Sequence, residues 1–256
     1  MSFNKKTIRD IDLKGKRVLL RADFNVPVDD GKITDDYRIK QALPTIQYIL
    51  EQKCSLVIIS HLGRPSGSDD TSTSLLPIST RLAELLGKDV QFASDCIGEA
   101  AKTMCVALPP HGIVLLENLR YHPEEEKNDE SFAKAIIEAS AAEVFVQDGF
   151  GVVHRAHAST DAIARQNIPA VAGLLLEREV DTITKVMEDP KRPLVAIIGG
   201  AKVSDKIEIL ERLLEHADCV AVVGAMANTF LAVQGYAMGS SVLDEESEDI
   251  AQDILG

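Results

Sequence analysis

The chain has 256 residues, 45% of them hydrophobic, and a formal net charge of −13. That length and apolar content suffice for a sizeable core, which excludes a disordered or fibrous chain, and the acidic excess argues against nucleic acid and anionic membrane surfaces as partners. The four cysteines, Cys54, Cys96, Cys105 and Cys219, form no CxxC pair; this speaks against a zinc ribbon, a thioredoxin-like motif or a disulfide framework and favours a reducing, cytoplasmic setting.

From the start, MSFNKKTIRDIDLKGKR is charged and holds no export signal, and no later run is long and apolar enough to span a membrane. The first strand is expected at Arg17–Arg21, followed by a helix over Arg38–Gln52 that opens on DDYRI. Next comes a strand over Leu56–Ser60, apolar at nearly every position, as suits a central strand covered on both faces. A helix over Ile78–Leu86 ends at Gly87, and a strand follows at Ile113–Glu117. The acidic run Glu124-Glu125-Glu126 precedes a helix over Glu130–Ala142, and another strand covers Val144–Asp148. This alternation reads as βαβ units, hence α/β with a parallel, Rossmann-like doubly wound sheet.

Proline and small residues from Ile168 to Gly173 interrupt the pattern and mark a boundary. The helix beyond it carries Leu176, Val180, Ile183 and Met187 as one apolar stripe, closed by Pro190 and Pro193. Strand Leu194–Ile198, turn Gly199-Gly200, helix Val203–Glu215, strand Val220–Val223 and helix Met226–Gln234 then begin a second α/β unit with too few strands to cover both faces of a sheet. The expected division is a substrate domain over 1–172, an inter-domain helix over 173–190 and an incomplete nucleotide-binding domain over 191–256.

In a parallel sheet the residues just past the strand ends share one rim, where ligands bind. Arg21, Asp23 and Asn25 follow the first strand, His61 and Arg64 the second, Arg120 the third, and His154, Arg155 and His157 the fourth. A single arginine is more often a solvated surface charge. Cations delivered by four strand ends to one rim point instead to a small, multiply charged anion, which guanidinium forks match in geometry. For His154 and His157 a zinc site lacks an evident third ligand, so anion binding or structural hydrogen bonding is the better reading.

The turn Ile198-Gly199-Gly200-Ala201-Lys202, with Lys206 one turn further, follows a strand and opens a helix. Glycines that admit phosphate, free N–H groups and lysine charge would suit a polyphosphate cradle, although the same residues also make a tight strand-to-helix turn. Gly224 to Phe230 repeats the arrangement after the next strand. No GxSxG or HExxH occurs, so positioning and charge neutralisation, not covalent catalysis, are expected.

The runs RADFNVP (Arg21–Pro27), ITDDYRI with ALPTI (Ile33–Ile46), SHLGRP (Ser60–Pro65), LLENLRY (Leu115–Tyr121), QDGFGVVHRAHAS (Gln147–Ser159) and GGAKVSDK (Gly199–Lys206) together resemble phosphoglycerate kinases in order and spacing, over essentially the whole chain. The resemblance implies 3-phosphoglycerate binding by Asp23, Asn25, Arg38, His61, Arg64, Arg120 and Arg155, with Arg21 and His154 in the same basic patch. It implies ATP or ADP phosphates at Lys202 and Lys206, with Gly199, Gly200 and Ala201 approaching through the backbone and Gly224 shaping the adenosine side. Mg²⁺ comes on the nucleotide. Direct in-line transfer after hinge closure is the implied mechanism, with Arg38 and Lys202 at the moving group.

Gly224-Ala225 stands where many relatives have a glycine pair, and Val152-Val153 where Thr-Ala is common. The family's metal-holding acid, a ribose glutamate and a returning terminal stretch belong to sequence beyond residue 256. The expectation is therefore a truncated chain that binds 3-phosphoglycerate but transfers poorly; the full-length family implies a monomer, the truncated form self-association. Two other readings stay open: a non-catalytic phosphometabolite-binding fragment, and a dinucleotide-dependent oxidoreductase, which lacks GxGxxG after a first strand.

Overall fold

The computed structural model describes residues 4–29, 31–67 and 69–256. By contact density the described chain divides into two units, residues 4–182 and 183–256, each described by itself below.

The first unit is built on six parallel strands: β1 (Arg17–Arg21), β4 (Ser55–Ile59), β5 (Gln91–Ala93), β6 (Ile113–Leu116), β7 (Val144–Gln147) and β8 (Ala170–Ala172), in the order β5-β6-β4-β1-β7-β8. A small antiparallel ribbon, β2 (Val28–Asp29) with β3 (Lys32–Ile33), lies between β1 and helix α1 (Tyr37–Glu51). The β1–β4 register pairs Arg17 with Ser55 and Arg21 with Ile59; the β1–β7 register pairs Val18 with Val144 and Arg21 with Gln147.

Strand alternation sends successive side chains to opposite faces. Val18, Leu20, Leu56, Ile58, Leu115 and Val146 pack with Ile39, Ile46 and Ile49 of α1 and with Ile78 and Leu82 of α2 (Leu76–Leu86). Leu19, Val57, Ile59, Val114 and Phe145 pack on the other face with Ala101 and Cys105 of α3 (Gly98–Val106) and with Phe132 and Ile136 of α4 (Glu130–Ser140). The result is a doubly wound, Rossmann-like sandwich, helix layers on both faces of a parallel sheet.

The expected strands and helices of this unit are present to within two residues at each end. The ribbon β2–β3, β5, α3 and β8 are not among the expected elements. β8 falls in the proline and small-residue segment from Ile168 to Gly173: its residues pair with Phe145 to Gln147, which makes it the edge strand of the first sheet. An edge position asks little of side-chain size and tolerates the preceding Pro169.

Helix α5 (Leu174–Glu188) starts where Asp148, past the end of β7, accepts the Leu175 and Leu176 N–H groups on Oδ1 at 2.9 and 3.1 Å. Gly173 is required there, because a Cβ would fall well under 3.0 Å from that carboxylate. Of the expected apolar stripe, Leu176 is buried, whereas Ile183 and Met187 are exposed.

The second unit pairs β9 (Val195–Gly199) with β10 (Cys219–Val223) in parallel, joined by α6 (Ile207–His216) and followed by α7 (Ala225–Val233) and α8 (Glu248–Leu255). Ile198, Val203, Leu210, Met226, Phe230 and Ala251 form its small core. Ile197, pointing from β9 the opposite way to Ile198, is 72% exposed. A two-stranded sheet with one open apolar face is an incomplete α/β layer.

Candidate functional site

Strands β4, β5 and β6 lie on one side of β1 and strands β7 and β8 on the other. The chain leaves β1 and β7 in opposite directions, and a crevice opens between the loops that follow them. Into it come Asp23 and Asn25 after β1, Arg38 from the first turn of α1, His61 and Arg64 after β4, Arg120 after β6, and Gly151 and Arg155 after β7. These side chains line one cavity of about 390 Å³. Four arginines against the single carboxylate of Asp23 give the lining a net charge of three positive units.

Each loop is tied to a neighbour. Asn25 Oδ1 accepts the Gly63 N–H at 2.9 Å, and Ser60 Oγ accepts the Phe24 N–H at 2.9 Å while donating to Ala22 O at 2.8 Å, so the loops after β1 and β4 are laced together. Buried Asn118 has every polar atom engaged: Oδ1 accepts from Leu62 N–H (3.2 Å) and Arg120 N–H (3.1 Å), and Nδ2 donates to Leu62 O (2.8 Å) and Thr73 O (2.9 Å). That residue sets both the β4 loop and the backbone of Arg120.

The cations are placed under mutual repulsion. Arg120 is 6% exposed, donates from Nη1 to Gly63 O at 2.7 Å and holds Nε 3.2 Å from Glu126 Oε1, an ion pair whose angle does not make a hydrogen bond. Burial, then the positive charges of Arg155 and Arg64, push the Arg120 pKa down against the pull of Glu126 and Glu125. Arg38 is half exposed and donates from Nη1 to Asp23 Oδ2 at 2.7 Å. A Cβ on Gly151 would strike that same Asp23 oxygen, so this glycine is a wall of the cavity by necessity. His61 is buried, and burial together with Arg21, Arg120 and Arg38 drives its pKa down to about 2. Both causes favour the neutral imidazole over the charged one.

Arg21 and His154 do not join the lining. Arg21 ends β1 with its side chain wholly buried beneath the crevice, on Ser159 Oγ, Ala22 O and His61 Nδ1. His154 is exposed, with Nε2 3.5 Å from Arg155 Nε. His157 is nearly covered and lies 3.9 Å from Glu125 Oε1. Among the described residues the one group of metal-ligating side chains is elsewhere: Asp95, Cys96 and His122, within 4.8 Å of one another. Asp95 Oδ1 there accepts from the Cys96 N–H at 2.6 Å and lies 2.8 Å from His122 Nε2, a hydrogen-bonded turn before α3. No spacing motif marked it in the sequence.

In the second unit, Gly199 ends β9 so close to β10 that a Cβ would lie 2.8 Å from Val223 Cγ2, and Gly200 O accepts the Met226 N–H at 2.8 Å. The Lys206 chain folds against Gly200, where a Cβ would meet its Cε at 3.0 Å. Gly224 has φ +71°, which accounts for a glycine at the start of α7. The helix expected from Val203 begins instead as a 3₁₀ turn, Ser204–Lys206, and becomes α-helical at Ile207. The Val203 N–H, at the start of that turn, donates to Asp244 Oδ2 at 2.9 Å. Ala201 and Lys202 are exposed at the turn.

The sequence reading missed Asn118, Glu125 and Ser159, each of which is buried and lies outside the lining of that cavity. Only their burial sets them apart.

A family model described as phosphoglycerate kinase matches residues 8–256. The phosphoglycerate kinase of Pelotomaculum thermopropionicum is 51% identical over 251 residues, which cover 98% of this chain and 63% of that protein. That of Moorella thermoacetica is 49% identical with the same coverage. Among solved structures, phosphoglycerate kinase from Coxiella burnetii superposes with a TM-score of 0.84 at 41% identity, and that from Pyrococcus horikoshii with 0.85 at 30%, each over 98% of this chain and 62% and 64% of theirs. The chain thus spans a little under two thirds of the length of these relatives. A cation-lined crevice at the switch point of a doubly wound sheet, a match over nearly every residue and relatives at half identity agree: the chain belongs to the phosphoglycerate kinase family.

Proposed function

We propose that the chain serves reversible phosphoryl transfer between ATP and the carboxylate of 3-phosphoglycerate, giving ADP and 1,3-bisphosphoglycerate. Residues 1–172 hold the three-carbon acid, 173–190 connect, and 191–256 supply part of the nucleotide seat. The observation that carries this is the charge of the cavity. A phosphate group brings about −1.5 to −2 and a carboxylate about −1, which balances the lining's net of three positive units.

In this reading Arg38, Arg64, Arg120 and Arg155 hold the phosphate and carboxylate oxygens, Asn25 and His61 add neutral contacts, and Asp23 holds Arg38 in place. Lys202 and Lys206 serve the nucleotide phosphates beside Gly199, Gly200, Ala201 and Gly224, and Mg²⁺ enters as part of the nucleotide substrate. In the direction that makes ATP, a β-phosphate oxygen of ADP attacks the acyl phosphorus of 1,3-bisphosphoglycerate, the P–O bond to the carboxyl oxygen breaks, and the carboxylate leaves with the electron pair. No proton has to move, so alignment and cancellation of charge are the whole catalytic task. Arg38 and Lys202 are assigned to the moving phosphoryl group.

Titration calorimetry with 3-phosphoglycerate, MgATP and NADH tests the reading. Heat from 3-phosphoglycerate that is lost in Arg64→Ala and kept in Arg81→Ala, whose guanidinium pairs with Asp36, is the expected result. Binding of NADH without 3-phosphoglycerate would overturn it.

A further inference from the structure

Directly under the cavity lies a row of buried polar groups that touches no guest. Glu125 and Arg21 are each 1% exposed and Ser159 is fully buried. Ser159 gives both of its donors to one carboxylate: the hydroxyl to Glu125 Oε1 at 2.6 Å and the backbone N–H to Oε2 at 2.9 Å. With its proton committed, the hydroxyl has only lone pairs left, and it accepts from Arg21 Nε at 2.8 Å. The other end of the guanidinium, Nη2, stands 3.0 Å from His61 Nδ1.

Donor and acceptor roles in this row follow from the groups themselves. A guanidinium has no acceptor and does not deprotonate, so His61 Nδ1 must contribute a lone pair. In a neutral imidazole the remaining proton then sits on Nε2. We propose that Glu125, Ser159 and Arg21 form a relay that fixes His61 as the neutral Nε2–H tautomer, its one donor reserved for the anion in the cavity. Glu125 and Ser159 are thereby positioning residues for a site they do not reach.

The relay replaces a titrating cation with a constant donor. The positive charges of Arg21, Arg120, Arg38 and His157 oppose protonation of His61, and Asp23 is the lining's carboxylate. An anionic guest raises a neighbouring group by about one to three units, which from a starting value of about 2 still leaves the ring neutral at pH 7. A merely structural row would pin the segments after β4, β6 and β7 to the end of β1 without constraining which ring nitrogen carries hydrogen.

The identity of the guest rests on the reading proposed above, but the tautomer does not, so the two are tested apart. Long-range ¹H–¹⁵N spectra of the unliganded chain, labelled on histidine, should show His61 with Nδ1 bare and Nε2 protonated, unchanged between about pH 5.5 and pH 8. An Nδ1–H signal, or titration near the ordinary histidine value, overturns the relay without any variant. Arg21→Lys keeps the charge but a single ammonium cannot span Ser159 and His61, and it should release the tautomer. Ser159→Ala and Glu125→Gln should do the same from a distance. In both, the ratio of variant to parent affinity for 3-phosphoglycerate should change about fivefold across that pH range, as a protonated ring makes charge-assisted bonds that a neutral one does not. Variants that fold but leave the His61 signals and that ratio unmoved also overturn it. A parent with the expected tautomer but no affinity for 3-phosphoglycerate supports the relay and removes only the identity of the guest.

Discussion

Replacing Gly151 with alanine adds one methyl group at the wall of the cavity. The new Cβ would fall well under 3.0 Å from Asp23 Oδ2, an approach real Cβ atoms do not make, and 3.7 Å from Arg38 Nη1. Asp23 has little room to yield: it is nearly buried, and Oδ1 accepts the Asn25 N–H at 3.2 Å while Oδ2 takes the Arg38 bond at 2.7 Å. Relief comes by turning the carboxylate away from Arg38, which then loses the contact that aims it. A charge-assisted hydrogen bond to a guest is worth about 1.5–3 kcal/mol, so 3-phosphoglycerate affinity should fall roughly 10- to 150-fold. Stability should change little, because Arg38 is 50% exposed and such pairs contribute about 1 kcal/mol or less. Gly149→Ala is the internal control: its Cβ would rest 3.2 Å from Gln147 Oε1 and 3.4 Å from Val152 Cγ2, which small side-chain shifts absorb. Calorimetry and denaturant unfolding on both variants decide the matter. Equal affinities for Gly151→Ala and Gly149→Ala would refute the placement of this wall.

Gly173→Ala should cost about 2–4 kcal/mol in denaturant unfolding, because the new Cβ strikes the buried Asp148 carboxylate that caps α5; a loss below about 0.5 kcal/mol would contradict that geometry. Burial lifts Asp148 to about 6 against its bonds from Thr45, Leu176 and Leu175, so the folded state binds more protons than the unfolded one between about pH 4 and pH 6, and stability falls as pH rises through that window. Asp148→Asn keeps an acceptor for the cap and should remove that fall, gaining up to about 3 kcal/mol relative to the parent at pH 7.5 as compared with pH 4. His61 has the opposite sign: held at about 2 when folded, it binds fewer protons than the unfolded chain below about pH 6.5, so stability is lost as pH falls, roughly 2 kcal/mol by pH 5. His61→Gln should flatten that acid limb in unfolding curves measured from pH 5 to pH 8.

The sheet was readable because its strands are buried on both faces: Leu56-Val57-Ile58-Ile59 leaves no polar residue to blur the pattern, and all four are buried. β5 and β8, of three residues each, are too short to show a period, and β8 is made of the alanines and valine that also make a linker. The convergence of the cavity residues followed from one rule, that parallel strands end on a common rim. The same rule misplaces Arg21, which shares the parity of Leu19 and is still inside β1, so its side chain is drawn under the rim and not over it. Glu125 was invisible for a different reason. Within Glu124-Glu125-Glu126 nothing distinguishes the one carboxylate that is buried, and only the fold turns it inward to meet Ser159.

The whole chain is strongly acidic, yet its cavity is cationic, and the two do not compete on equal terms. Surface charges more than about 8 Å away are screened at physiological ionic strength, whereas groups in a half-buried cleft are not. Repulsion within the cationic cluster is opposed by carboxylates placed behind or beside some of its guanidiniums: Asp23 at Arg38, Glu126 at Arg120, and Glu125 below Arg21 through Ser159. Counter-charges in those places lower the cost of holding the cluster together and still leave the lining three charges short of neutral. A monoanion would leave most of that deficit standing, while an acid bearing both a carboxylate and a phosphate removes it. Under the proposed function, selection by number of charges would follow from where the fold puts its acids as much as from where it puts its arginines.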